Sequence, residues 1–184
     1  MQTDNSHFAE KVQLRLDNLP DKETIHVLDA YHGNGLLWRE IAGRRPDVKF
    51  GVVGIDVKRE RRGLYLMGDN RKFIAGMDLS RFDVIDLDAY GAPFEQVEMV
   101  LTRPGMAGKI IFVTWIQSMF GMPPKRLLVM LGYTRAMIDA IPSLFCRHGI
   151  DKFLDYLALR GIGHIKLYQD ASGRKNYLCF RIKN

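Results

Sequence analysis

Residues 27–38 constrain the fold of this chain more than any other stretch. They read Val-Leu-Asp-Ala-Tyr-His-Gly-Asn-Gly-Leu-Leu-Trp, which predicts a buried strand, a tight glycine turn and the start of a helix. A second apolar run, residues 50–55, ends on an acid, Asp56. This order is typical of an α/β sheet that holds a nucleoside at the carboxyl edge of its strands. The turn alone is equally compatible with an ordinary strand–turn–helix that binds no ligand.

The turn resembles the first motif of the class I S-adenosylmethionine-dependent methyltransferases, acid-x-x-x-Gly-x-Gly. Asp29, Gly33 and Gly35 fill that motif, and Tyr31 stands where many members of the family carry another glycine. The same segment is a poor dinucleotide fingerprint, because Gly-x-Gly-x-x-Gly needs a glycine where this chain has Trp38.

A third segment, residues 82–93, carries the more specific resemblance. It reads Phe-Asp-Val-Ile-Asp-Leu-Asp-Ala-Tyr-Gly-Ala-Pro, an apolar strand with an acidic end followed by a small residue, an aromatic and glycine. This is similar to motif IV of the amino-group methyltransferases, Asp-Pro-Pro-Tyr in its commonest form. It is closer still to the Asp-Pro-Phe-Gly form of the tRNA guanine-N2 dimethyltransferases. The chain departs from that family at Ala89, where the family has proline, and the resemblance covers roughly residues 25–118.

The resemblance implies that S-adenosylmethionine is the cofactor. It places Asp29 against the methionine amino group, directly or through water, and Asp56 against the ribose hydroxyls. Gly33 and Gly35 let the loop pass under the ribose and methionine portions. Tyr31 belongs to the same loop and is included in the expected cofactor site.

Three further residues complete the expected cofactor site. Asp69 resembles the acid after strand three that accepts a hydrogen bond from the adenine amine, with the backbone of Asn70 nearby. The alternative for Asp69 is a turn residue or a helix cap before Arg71. His32 lies in the glycine loop and is either a cofactor contact or an exposed loop histidine.

Asp88 is the expected catalytic residue, and Tyr90 is its expected partner in holding the acceptor. An exocyclic amine is a poor nucleophile because its lone pair is delocalised into the ring, and a carboxylate that accepts one of its hydrogens localises that pair. Tyr90 could stack on the base, a contact worth roughly 1–3 kcal/mol. Asp86, two positions earlier on the same strand face, is expected to be a buried acid tied to backbone donors.

Composition adds the class of the protein and one candidate partner. The length of 184 residues and the hydrophobic share of 47% predict one globular domain, with residues 1–20 as a lead-in segment. No apolar run approaches the ~20 residues that a membrane span needs, and the polar N-terminus lacks a signal-peptide core, so cytoplasmic localisation is the default expectation. The net charge of +6 and the pI of about 9.4 favour an anionic partner, with nucleic acid first.

The pattern of apolar segments predicts an α/β, Rossmann-like methyltransferase fold with a mostly parallel sheet and a C-terminal antiparallel hairpin. The expected strands are residues 25–30, 50–55, 64–67, 82–87, 109–114, 165–169 and 177–182. Residues 8–18 are expected to form a lead-in helix or an extended cover segment. Helices are expected at residues 35–42, 71–77, after Pro93, and over 125–160 with breaks near Pro142 and Gly149. The short connection after Asp56 predicts a second crossover of one or two helical turns or a loop. Its basic residues are Lys58, Arg59, Arg61 and Arg62.

The sequence therefore predicts transfer of a methyl group from S-adenosylmethionine to an amine of a nucleic-acid base, with RNA favoured. Two alternatives stay open: a small-molecule or protein methyltransferase, and a catalytically inactive RNA-binding member of the fold. The chain has no room for a substrate domain. Target recognition is then expected from residues 116–160, the basic connection, a homodimer partner or a separate specificity subunit.

Overall fold

A computed structural model describes residues 7–58, 65–117, 121–146 and 149–183. Within these ranges the chain forms a seven-stranded sheet. The strands are β1 (Thr24–Asp29), β2 (Lys49–Asp56), β3 (Tyr65–Met67), β4 (Val84–Leu87), β5 (Ile110–Ile116), β6 (Ile165–Gln169) and β7 (Lys175–Arg181). Their order across the sheet is β3-β2-β1-β4-β5-β7-β6. β1 to β5 are parallel, whereas β7 pairs antiparallel with both β5 and β6. The predicted fold class, including the antiparallel C-terminal hairpin, is confirmed.

The helices cover both faces of this sheet. They are α1 (Phe8–Leu16), α2 (Leu36–Arg44), α3 (Asn70–Gly76), α4 (Phe94–Leu101), α5 (Lys125–Met130), α6 (Arg135–Ala140), α7 (Ser143–Cys146) and α8 (Gly149–Leu159). None of the helices in the described part of the chain combines the length and the apolar character that crossing a membrane requires.

The expected helical region 125–160 contains one more break than the sequence predicted. α5 ends before Gly132, which has a positive φ of 92°. Thr134 then caps α6 through its side chain, which accepts a hydrogen bond from the Met137 amide. A glycine in the left-handed region followed by an N-cap residue ends one helix and starts the next.

Two cores lie on the two faces of the sheet, because successive strand side chains point in opposite directions. Leu28 of β1 belongs to the core beneath α3, α4 and α8, whereas its neighbour Val27 belongs to the core beneath α1 and α2. β4 is buried along its whole length, as expected for a central parallel strand covered on both faces. A small third cluster, formed by Leu128, Ile138 and Phe145, joins α5, α6 and α7.

The connection between β2 and β3 is described only at its two ends. β2 ends at Asp56 and β3 begins at Tyr65, parallel to it. The predicted short crossover, with Arg59, Arg61 and Arg62, lies outside the described residues.

Candidate active site

The carboxyl ends of β1, β2 and β4 open into a cavity of about 670 Å³, within the range of roughly 300–1,000 Å³ that small-molecule sites occupy. Eight of the ten predicted site residues line it, namely Tyr31, His32, Gly33, Asp56, Asp69, Asn70, Asp88 and Tyr90. The lining also includes Phe8 and Lys11 of α1 and Tyr177 of β7. The topology brings these elements together because the carboxyl ends of parallel strands share one edge of the sheet.

Asp56 ties the glycine turn to the end of β2. Its Oδ2 atom accepts a hydrogen bond from the Gly33 amide at 2.9 Å, and its Oδ1 atom accepts one from the Lys58 amide at 2.8 Å. Gly33 has a φ of 54°, and the atom nearest to a Cβ built there is the Tyr31 carbonyl oxygen, 3.9 Å away. The turn therefore keeps its backbone open toward the cavity, and the Asp56 carboxylate lies at the cavity wall.

The glycine at position 35 makes room for a side chain of this protein. The His32 ring lies against Gly35 and Gly54, and a Cβ on Gly35 would lie 2.7 Å from the His32 Cε1 atom. A Cβ on Gly54 would come closer still to the same ring. His32 is held there by Asp29, whose Oδ2 atom lies 3.0 Å from His32 Nδ1. The sequence suggested that Gly33 and Gly35 make room for a ligand, and the structure shows that Gly35 also makes room for the His32 ring.

Asp29 and Gly35 do not line the cavity. Asp29 is buried, and burial raises the pKa of its carboxyl above the usual range, although His32 works against that rise. Asp29 is therefore linked to the cavity indirectly, because it contacts His32 and His32 lines the cavity. Its predicted contact with the cofactor stays a prediction.

Asp69 is the N-cap of α3. Its carboxylate accepts from the Arg71 amide at 2.9 Å and pairs with the Arg71 guanidinium at 2.7 Å. These hydrogen bonds lower the pKa of Asp69 to about 2. The capping role is thus present, and the residue also lines the cavity, so contact with adenine stays a prediction.

The sequence predicted only a backbone contact for Asn70, whereas in the structure its side chain joins neighbouring elements. Its side-chain amide donates to the Ala30 carbonyl at 2.9 Å, and its Oδ1 atom accepts from Gln96 at 3.0 Å. These two bonds tie the start of α3 to the end of β1 and to α4. The cavity wall on this side is therefore held by a fixed side chain.

Asp88 lies just after β4 with its carboxylate in direct contact with two side chains. Lys11 Nζ lies 2.8 Å from Oδ1 and 2.9 Å from Oδ2, and the Thr114 hydroxyl donates a hydrogen bond to Oδ1. Burial alone would raise the pKa of Asp88, but Arg15 and Lys11 bring it below the usual range. Asp88 is therefore an ionised hydrogen-bond acceptor in the folded protein.

Tyr90 stands between two cavities. Its side chain is 76% exposed. It borders the main cavity and also a second one of about 550 Å³, which is lined on its far side by residues that include Pro93, Pro124 and Arg126. An exposed aromatic ring at this junction is available to a planar partner.

Asp86 is buried, as predicted, but its donors are side chains and not backbone amides. Arg15 of α1 donates to both oxygens, at 2.6 and 2.7 Å, and Trp38 Nε1 donates at 2.9 Å. Burial raises the pKa of Asp86 to about 6, while Arg15 opposes the rise. The sequence reasoning missed Lys11 and Arg15. The sequence does carry a signal for these two residues. Lys11 and Arg15 are one helical turn apart, and the two acids that they pair with are two positions apart along one strand.

Metal chemistry has no candidate site in the described ranges. No group of three or more His, Cys, Asp or Glu side chains there could hold a metal ion.

No protein-family model matches the sequence, and no curated protein matches it. Solved structures are similar in fold. A candidate class I S-adenosylmethionine-dependent methyltransferase from Listeria monocytogenes is 16% identical with a TM-score of 0.51, over 100% of this chain and 61% of its own. Precorrin-6y C5,15-methyltransferase from Geobacter metallireducens is 10% identical with a TM-score of 0.52, over 100% and 90%. A candidate ribosomal RNA methyltransferase from Plasmodium falciparum is 12% identical with a TM-score of 0.53, over 100% and 98%.

These likenesses concern the fold. The chain spans about six tenths of the Listeria protein and nearly all of the other two. The name of the Listeria protein gives no methyl acceptor, whereas the other two are named for precorrin-6y and for ribosomal RNA. The chain thus has the Rossmann-like fold found in class I methyltransferases, and its own acceptor must be argued from its own residues.

Proposed function

We propose that this protein binds S-adenosylmethionine and transfers its methyl group to an amine of a nucleic-acid base, with RNA favoured over DNA. One observation carries the proposal: the glycine turn, the acid that ends β2 and the acid that follows β4 all line a single cavity. The glycine turn and Asp56 are suited to binding a nucleoside, and Asp88 is suited to binding an amine. The fold supports methyl transfer in general and leaves the acceptor open.

The residues at the cavity fit the cofactor in charge and in shape. Asp56 lines the cavity, and its carboxylate is an acceptor of the kind that binds ribose hydroxyls. Gly33 leaves the backbone open beside it. When bound, S-adenosylmethionine supplies a methyl group on a positively charged sulfur, which keeps the bonding electrons as the amine lone pair takes the methyl. The amine loses one N–H proton, which the Asp88 carboxylate would accept.

The residues around Asp88 support an acceptor that carries N–H groups. An ionised carboxylate only accepts hydrogen bonds, so it orients an amine and disfavours an anionic oxygen at the same place. Tyr90 adds an exposed ring for stacking, and the second cavity beside it gives space for the remainder of a nucleotide.

The preference for nucleic acid rests on charge. The chain carries a net charge of +6, and Lys58 lies at the wall of the main cavity. Arg59, Arg61 and Arg62 follow directly in the sequence. Single-stranded or structured RNA is favoured over duplex DNA, because a base in a duplex must first be flipped out at a cost of a few kcal/mol.

Calorimetry tests the cofactor. Asp56→Ala should weaken S-adenosylmethionine binding by about 1.5–3 kcal/mol for each charge-assisted bond lost, which is tenfold or more. The matched control is Asp47→Ala, since Asp47 precedes β2 at its other end and pairs only with Arg45 among the contacts described for it. Equal affinity in wild type and Asp56→Ala would remove Asp56 from the site. Binding of a nicotinamide dinucleotide instead would overturn the proposed cofactor.

Transfer of labelled methyl groups tests the acceptor. Wild-type protein is incubated with radiolabelled cofactor and with total RNA, DNA or protein, and label is expected in RNA. Asp88→Asn, which keeps the shape of the side chain, should reduce incorporation by about 10²–10⁴-fold. Label in protein or small molecules, with none in RNA, would favour the alternative methyltransferases. Cofactor binding without any transfer would favour an inactive RNA-binding member of the fold.

A further inference from the structure

We propose that Lys11 and Thr114 are positioning residues that fix the Asp88 carboxylate so that Oδ2 is the atom that receives the acceptor amine. The inference rests on the proposed function and adds which atom selects the acceptor and what holds that atom in place. It is carried by the geometry of α1, β4 and β5 at the cavity, and neither residue was part of the expected site.

The two oxygens of Asp88 are used unequally. Among the contacts of the described residues, Oδ1 accepts from both Lys11 and Thr114, whereas Oδ2 accepts from Lys11 alone, at 2.9 Å. Each carboxylate oxygen has two lone-pair sites. Oδ1 is therefore filled, and Oδ2 keeps one site for an incoming N–H group.

Lys11 has little freedom to leave this position. Its ammonium has three donors. Two of its contacts are to the oxygens of Asp88, and its nitrogen also lies 5.4 Å from the centre of the Tyr177 ring, a cation–π distance. The side chain is 14% exposed. Lys11 thus acts as a fixed charge beside the carboxylate rather than as a free donor for a substrate.

A buried ion pair sets the position of Lys11 along the sheet. Arg15 lies one helical turn further along α1 and pairs with Asp86, which lies two residues before Asp88. Four residues of helix rise roughly 6 Å, and two residues of strand span roughly 6.4–6.8 Å. The two pairs therefore form together when α1 lies along β4, so the fully buried Arg15–Asp86 pair holds the partly buried Lys11–Asp88 pair in register.

Charged groups from several elements face Asp88. They are Lys11 and Arg15 from α1, Asp29 from β1 and Asp86 from β4. Thr114 of β5 adds a hydrogen bond, and Tyr177 lies behind the Lys11 ammonium. Removal of Lys11 leaves Asp88 facing two other carboxylates with one cation fewer. The pKa of the Asp88 carboxyl should therefore rise, and its side chain should become free to rotate.

The test compares Lys11→Met, Lys11→Arg and Thr114→Val with Lys22→Met. Lys22 is the matched control because it pairs with Asp83, at the opposite end of β4. Lys11→Met and Thr114→Val should lower kcat on the order of 10–100-fold, since a misplacement near 1 Å can cost about that much, with cofactor affinity unchanged. The acid limb of the pH profile should move to higher pH in Lys11→Met, and Lys11→Arg should restore much of the rate. Lys22→Met should behave as wild type.

Carbon-13 NMR of labelled aspartate gives a readout that needs no turnover. The pKa of Asp88, assigned by its loss in Asp88→Asn, should rise in Lys11→Met and stay in place in Lys22→Met. If Lys11→Met fails to fold, Thr114→Val tests the same carboxylate with both ion pairs intact. Wild-type rate and pH profile in the Lys11 and Thr114 variants of an active enzyme would overturn the inference. An inactive wild type whose NMR shift appears as expected would overturn the proposed function and leave the positioning of Asp88 supported.

Discussion

Replacement of Arg15 by methionine should destabilise this protein more than any surface change. Arg15 is 1% exposed and Asp86 is fully buried, and the guanidinium donates to both carboxylate oxygens. Methionine keeps an unbranched apolar stem, which can still pack near the Phe112 ring where the guanidinium now lies. The change therefore removes the charge and its hydrogen bonds while leaving much of the packing.

The expected loss is about 3–5 kcal/mol, the range found when one partner of a buried ion pair is removed. After the change, the hydrogen bond from Trp38 Nε1 at 2.9 Å is the only side-chain bond to Asp86 that remains among the described residues. It also faces Asp29 and Asp88, both of which raise its pKa. A domain is typically stable by about 5–15 kcal/mol, so this single change removes a large part of the total.

The loss should depend on pH. Burial raises the pKa of Asp86 to about 6 even with Arg15 present, and the pKa should be higher without it. A carboxyl whose pKa is higher in the folded than in the unfolded state stabilises the fold when protonated. That contribution is lost as pH rises through the folded pKa. The deficit of Arg15→Met should therefore be larger at pH 8 than at pH 5.

Urea unfolding followed by circular dichroism at the two pH values measures both quantities. Arg44→Met is the control, because Arg44 pairs with Glu40 on the surface of α2 and such pairs contribute about 0–1 kcal/mol. The reasoning is refuted if Arg15→Met costs no more than Arg44→Met at pH 8. It is also refuted if the cost is the same at pH 5 and pH 8.

Three further predictions concern the glycines, the acceptor and the partner. Gly54→Ala should lower the free energy of unfolding, measured in urea, by about 1–3 kcal/mol because the new Cβ meets the His32 ring. Adding His32→Ala should restore most of that free energy, and no recovery would contradict the contact. Tyr90→Ala should weaken acceptor binding by about 1–3 kcal/mol without changing cofactor affinity, and an unchanged acceptor KM would remove Tyr90 from the acceptor site. Filter binding to RNA should weaken with salt at a log–log slope of about −0.7 per neutralised phosphate, and no binding at low salt would rule out a nucleic-acid acceptor.

The architecture could be predicted from the sequence because each strand carries a local signal. β5 is a continuous apolar run, which indicates burial on both faces, and β6 and β7 flank a polar turn that predicts a hairpin. The glycine turn, the acid that ends β2 and the acid after β4 lie at one cavity for a different reason. Parallel strands bring their carboxyl ends to one edge whatever the details of the loops between them.

The partners of the acids could not be predicted in this way. Arg15 and Asp86 are 71 residues apart in sequence, and nothing local links them. The apolar positions of residues 8–18 predict a lead-in helix or an extended cover segment, but they do not predict that the cations of α1 align with the acids of β4. The sequence also did not show that Gly35 makes room for the His32 ring. Asp29 holds that ring against Gly35, and this contact cannot be read from the local sequence pattern.

The place of β7 in the sheet has a consequence for how the chain reaches its folded state. β7 pairs with β5 along its whole length, yet it follows α5–α8 in the chain. Until β7 arrives, β5 presents an unpaired edge of buried-type apolar residues, the kind of edge that recruits other chains. Closure of this long-range pairing should be slow and exposed to aggregation. A polypeptide shortened to end before residue 175 should therefore aggregate, even though the helices and the first six strands are all present.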